Sequence, residues 1–282
     1  MHGISKRTFA LIMLAGLLLV AAFWVSPWEG ADDWETFYFA ARRVVAADGP
    51  LYGSLVTHSY YSNPPWVAVA VIPFTVLPPK FGWAVLSAAT FVVALLVLRR
   101  WNPAPGWLKM AAILSSPPMF YILLHGQIDM IVAGAVLLPP WIWPIAAITK
   151  PQVAIGLLAG VRRKYWLRAG LFTGAVLAVS FLIWGFWPPA LLGQATPFVG
   201  EGHNLWGGLW PFQVPLGVLF VVMGLSRSDE RYLIVGSPFL SPYATFSTLI
   251  GPWIAAVSWL KSWQVAVVWL SWWGVVVYQM VK

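Results

Sequence analysis

The chain contains no cysteine, which excludes disulfide frameworks and thiolate metal centres. Charge is scarce too: only 9% of the 282 residues are Asp, Glu, Lys or Arg, against 60% hydrophobic. That leaves too little polar surface to coat a soluble globule. Strand-period alternation is missing, which excludes a transmembrane barrel and leaves helices as the way to satisfy the backbone in lipid. Neither a Walker A loop nor a Gly-x-Gly-x-x-Gly segment occurs, so nucleotide-driven chemistry has no support. The four histidines (His2, His58, His125, His203) lack metal-ligand spacing.

What is present is a series of apolar runs. They lie at 8–25, 82–98, 107–124, 128–138, 141–148, 153–161, 167–187, 211–225, 232–240, 244–260 and 263–280. Pro139, Pro140 and Pro144 interrupt the stretch 128–148 and divide it into two short helices. The reading is all-α: a single polytopic transmembrane domain over 1–282, with about eleven spanning or half-spanning helices. Lys6 and Arg7 ahead of the first run predict a retained signal anchor, the run being long for a signal peptide. Residues 63–79, with Pro64, Pro65, Pro73, Pro78 and Pro79, read as a helix that dips into the outer leaflet and returns.

The net charge of +8 comes from basic residues in short clusters beside apolar runs, as topology signals do, so nucleic acid is not an expected partner. With Lys6 and Arg7 inside, Arg99, Arg100, Lys109, Arg162, Arg163, Lys164, Arg168, Arg227, Arg231 and Lys261 also fall inside. Arg42, Arg43, Lys80, Lys150 and Lys282 remain as the basic exceptions. The loop 29–61 and the loop 188–210 are then extracytoplasmic, and 162–168 cytoplasmic. A cysteine introduced at Ser54 should therefore react with an impermeant thiol reagent in intact cells; labelling only after lysis would overturn this map.

Five of the nine acids (Glu29, Asp32, Asp33, Glu35, Asp48) fall in the first outer loop, 29–66. Asp32 and Asp33 head a stretch of aromatic and small residues at helical spacing, read as a helix on the outer membrane surface. One of the pair could cap it and the other be solvated, or the two could belong to a site with Tyr38, Arg42 and Arg43. Asp129, after Gly126-Gln127, either caps the next helix or is a functional carboxylate at membrane depth. Lys150, between two short segments and next to Pro151, either binds an anion such as a lipid phosphate or snorkels to the interface. Glu201-Gly202-His203-Asn204 is an outer loop or part of an acceptor site. Ser241-Pro242-Tyr243 brings a second broken segment to the same face.

Taken in order, the Asp-aromatic and Ala-Ala-Arg helix, Gly49-Pro50-Leu51-Tyr52, Tyr61 with Pro64-Pro65, Gly126-Gln127, Lys150-Pro151, Tyr165-Trp166 and Ser241-Pro242-Tyr243 form a pattern. Over roughly residues 8 to 260 the chain resembles the glycosyltransferase 87 family, polyprenyl-phosphate-mannose-dependent mannosyltransferases of the GT-C membrane fold. It is shorter than usual for that family and reads Ala244-Thr245-Phe246 where relatives often carry a histidine. The resemblance implies a bacterial plasma-membrane enzyme with an extracytoplasmic active site and Asp33 as catalytic base, Asp32 being its neighbour in the pair. Donor phosphate would be held by Lys150 with Arg42 or Arg43. Tyr38, Tyr61, Gln127, Asp129, His203, Asn204 and Tyr243 would line the substrate site. The partners are then a polyprenyl-phosphate sugar donor, a lipid or glycan acceptor and membrane lipids, with no cofactor and no metal. A rival reading of the same residues is a transporter or flippase using Asp129 and Lys150 as an intramembrane relay, although no internal repeat is found. A non-catalytic membrane scaffold is a third reading, but it leaves the clustered acids unexplained.

Overall fold

The computed structural model describes Ala21 and residues 31–52, 60–199 and 204–281. The first apolar run apart from Ala21, together with Glu29, Ser54, Glu201, Gly202 and His203, lies outside the described residues. Every regular element among the described residues is helical. Among the described residues, two helices, Pro79–Trp101 and Arg163–Trp184, are long and apolar enough to cross a membrane. At 1.5 Å per residue the first of them is about 33 Å long, slightly more than a hydrocarbon core of about 30 Å.

The first-loop helix runs over Asp32–Ala46, with Asp32, Asp33 and Glu35 in its first turn and Arg43 in its last. Both charge placements complement the helix dipole. The face expected to lie on lipid turns inward instead. Trp34, Phe37, Tyr38, Ala40 and Ala41 are buried, with Pro65–Val71 and the 3-10 turn Ile72–Val76 packed against the helix. Hydropathy cannot tell these two surroundings apart, since lipid and protein core are equally apolar. The indole of Trp34 donates to the carbonyl of Pro79 at 2.7 Å, which fixes this helix at the Pro79 end of the long span.

The proline-divided stretch breaks where expected. Asp129–Ala133 continues into the 3-10 turn Gly134–Leu137, and Pro140–Ile142 leads into Trp143–Thr149. Run 107–124, read from sequence as one pass, is instead two helices, Trp107–Leu114 and Pro117–His125, bent by 44°. Pro117 and Pro118 supply no N–H to continue the first helix, and the Ser116 hydroxyl caps the second by accepting from Met119 N. Stretch 188–210, read from sequence as an outer loop, likewise differs from expectation, since it contains a helix, Pro188–Val199.

Further short broken segments, Pro151–Ala154 with Ile155–Gly160 and Glu230–Gly236 with Ser237–Leu240, pack against one another. Gly156 makes this possible: any side chain there would run into the carbonyl of Leu233. The Gly156 N–H released by the break is taken by Ser237 Oγ at 3.0 Å. At the Trp101 end of the long span, Arg100 pairs with Glu230 at 2.6 Å. The molecule thus has an end marked by Trp34 and Pro79 and an opposite end marked by Arg100 and Glu230.

Candidate functional site

Three backbone features at the Trp34 end bring distant polar residues together. Helix Pro117–His125 ends at Gly126, whose φ of 65° is left-handed, and the N–H groups of Gly126 and Gln127 both return to the carbonyl of Ile122. This turn directs the chain from the helix into Gln127, Ile128 and Asp129. Gly126 also lies directly against the backbone and Cβ of Trp34, so a methyl group would collide with it while forcing an L-residue into a left-handed conformation. Gly126→Ala should cost on the order of 1–3 kcal/mol, read as a lowered melting temperature of the purified protein. A variant as stable as the parent would show that this contact does not hold the first-loop helix in place.

Lys150 sits where Trp143–Thr149 ends and Pro151 begins the next turn. The residue before a proline is driven out of the helical region, and Lys150 has φ −142° and ψ 89°. Its carbonyl receives the N–H groups of Val153 and Ala154 at 3.0 and 3.2 Å. The ammonium is held inside the protein, where it meets Asp129 Oδ2 at 2.5 Å and donates to Gln127 Oε1 at 2.5 Å. Gln127 Nε2 in turn donates to Asp33 Oδ2. On the far side, Thr248 Oγ1 donates to Asp129 Oδ1 at 3.4 Å.

These contacts form one line, Asp33–Gln127–Lys150–Asp129–Thr248, across four separate stretches of chain. Asp129 is fully buried and Lys150 is 9% exposed, whereas Asp33 and Gln127 are partly accessible at the Trp34 end. Asp129 is thus an ion-pair partner inside the fold, and the Lys150 ammonium is turned into the protein. The ammonium has three donors, two of which serve Asp129 and Gln127. Burial pushes the Asp33 carboxyl above the usual carboxylate range; Lys150 and His125 pull it back, while Asp129 and Asp32 add to the rise.

The other sequence candidates are placed as follows. Asp32 is exposed beside Asp33. Arg42 and Arg43 lie nine and ten residues further along the same helix, about 14 Å in rise, and do not join Asp33. Arg43 donates to the carbonyl of Pro50 at 3.2 Å. The buried hydroxyl of Tyr38 donates to the carbonyl of Leu77 at 2.9 Å. That of Tyr61 donates to the carbonyl of Pro64 at 2.8 Å and accepts from Ala68 N at 2.9 Å. Both tyrosines therefore tie their local segments to the backbone through their polar atoms. Asn204 does the same for its own: its Oδ1 accepts from Trp206 N and Ala244 N, and its Nδ2 donates to the carbonyl of Pro242. Tyr243, partly buried, follows Ser241 and donates its backbone N–H to the Ser241 hydroxyl at 3.4 Å.

Sequence reasoning missed Thr248, one of three buried hydroxyl residues (Thr245, Ser247, Thr248) that interlock as the cap of the following helix. Three hydroxyls within four residues of an apolar segment were the available signal. Missed too was His125, in the last turn of Pro117–His125, which acts to lower the proton affinity of Asp33. Among the described residues no group of three or more His, Asp or Glu stands in metal-ligating range.

A scan against known protein families, a search of characterised proteins and a search of solved structures each return no match.

Proposed function

We propose that the protein is a polytopic membrane glycosyltransferase of GT-C type. It transfers a hexose, mannose by the resemblance, from polyprenyl phosphate to a hydroxyl acceptor at the extracytoplasmic face of a bacterial plasma membrane. The single observation that carries the chemistry is a partly accessible carboxylate, Asp33, coupled through Gln127 to a buried ammonium, Lys150. In the reaction the acceptor O–H gives its proton to the Asp33 oxygen not bonded to Gln127. The acceptor oxygen attacks the anomeric carbon, the bond from that carbon to the phosphate oxygen breaks, and polyprenyl phosphate leaves with the bonding electrons. One displacement inverts the anomeric centre.

Phosphate is a good leaving group, so this step needs a cation for developing charge and no strong general acid. The remaining N–H of Lys150 supplies that cation. The raised proton affinity of Asp33 strengthens it as a base. Membrane placement is supported by the helix Arg163–Trp184, which exposes Leu167, Leu171, Leu182 and Ile183, an apolar surface ill-suited to water. The decisive measurement is release of polyprenyl phosphate from a labelled donor, with and without Asp33→Asn.

A second reading, a transporter or flippase of a lipid-linked or small polar solute, is favoured by one observation, the fully buried Asp129 paired with Lys150. It requires solute movement across a proteoliposome membrane without donor cleavage. The same release assay separates the two readings.

A further inference from the structure

At the end of the molecule remote from Asp33 lies a cavity of about 350 Å³. It is lined by the apolar Pro140, Trp143, Leu225 and Leu233 together with Arg100, Arg162, Tyr165, Ser228, Asp229 and Glu230. Arg100 and Arg162 come from basic clusters far apart in sequence. The two acids are already engaged. Asp229 is gripped by Arg231 at 2.6 Å, and Glu230 accepts from Arg100 Nε at 2.6 Å and Trp101 Nε1 at 3.3 Å. Arg162 is exposed and makes no ion pair among the described residues. Close packing preserves the hollow: a side chain at Gly160 would meet Leu233 and Trp143, and one at Gly224 would meet Leu233.

A lining that combines apolar side chains with an arginine left outside the ion pairs matches a phosphate joined to hydrocarbon. We infer that this cavity seats the phosphate headgroup of an anionic membrane lipid, with Arg162 as its principal charge contact and the apolar side chains of the lining taking the start of the acyl chains. The inference rests on the membrane placement proposed above and not on the transfer chemistry. The site is separated from Asp33 by the length of Pro79–Trp101, about 33 Å.

The test is native mass spectrometry of the full-length protein in detergent, titrated with phosphatidylglycerol or phosphatidylcholine, with inorganic phosphate as competitor. One phosphatidylglycerol should bind in preference to phosphatidylcholine. Arg162→Gln should weaken that binding about tenfold or more, as loss of a charge-assisted contact does, and Arg162→Lys should keep part of it. Arg163→Gln removes the same charge one residue outside the cavity lining and should leave binding near the parent value. An unchanged melting temperature for Arg162→Gln shows that folding is not the cause. Equal loss in the Arg162 and Arg163 variants, or equal binding of both lipids, overturns the site. Displacement by millimolar inorganic phosphate assigns the cavity to free phosphate and overturns the lipid. Donor turnover is scored separately, so failure here and failure of the transfer reading are distinguishable.

Discussion

Asp33→Asn is expected to reduce donor turnover by about 10² to 10⁴, the range a general base contributes, while leaving the protein as stable as the parent or slightly more so at pH values above the folded pKa of Asp33. The stability half follows from the sign of the linkage. The folded-state pKa of Asp33 is raised, so between the unfolded value of 3.8 and the folded one the native state holds the extra proton. The contribution from Asp33 is therefore fully present below the unfolded pKa and is lost as pH rises through the folded pKa. Above the folded pKa the ionised group is a burden on the fold, and an amide removes it. Asn also keeps an oxygen that can accept from Gln127 Nε2, so the link to Lys150 survives. The parent enzyme should show an acid limb in its pH-rate profile displaced above the ordinary carboxylate range, because the base works only when deprotonated. Thermal melts at several pH values and single-turnover rates on one preparation check both halves. Near-native turnover in Asp33→Asn with loss in Asp32→Asn would move the base by one residue; near-native turnover in both variants would end the base assignment.

The parts of this arrangement that depend on local chain chemistry could be read from the sequence. Acids at positions 32 and 33 start a helix, prolines 139, 140 and 144 break one, and Pro151 forces Lys150 out of helical geometry. Two of the basic residues expected on one face, Arg100 and Arg162, line the same cavity. What could not be read is every contact that needs the chain to return on itself. Asp129 and Lys150 are 21 residues apart, with a proline-broken pair of helices between them, and no spacing rule links them. Gln127 reaches Asp33 across 94 residues only because Gly126 packs flat against Trp34. The lone ammonium, for which the sequence offered no local counter-charge and which was therefore read as awaiting a phosphate, has a carboxylate partner in its own chain. The orientation of the first-loop helix was out of reach for a different reason: its aromatic face satisfies a lipid surface and a protein core equally well.

Removing the ammonium should have the largest effect on stability. Lys150→Ala leaves Asp129 fully buried opposite no charge, and breaking a buried pair from one side costs about 3–5 kcal/mol. The weakened region is predictable. Asp129–Ala133, Trp143–Thr149 and Pro151–Ala154 are too short to be stable alone, and the pair ties the first of them to the junction of the other two. Lys150→Arg keeps the charge but replaces a compact ammonium by a planar fork, so it should retain the pair with Asp129 in part and lose the linear bond to Gln127. The informative variant is the double substitution Lys150→Met with Asp129→Leu. Exchanging both ions for apolar side chains of similar size is often neutral or stabilising by about 1–4 kcal/mol, so its melting temperature should recover most of what Lys150→Ala loses. Turnover then separates the two roles of the lysine. If Lys150 also holds the donor phosphate, the stable double variant remains inactive and its apparent donor affinity is weakened. If donor use returns with stability, the lysine is only an internal strut and the developing charge on the phosphate is met elsewhere. A Lys150→Ala protein that melts like the parent would show that the buried pair does not hold these segments together.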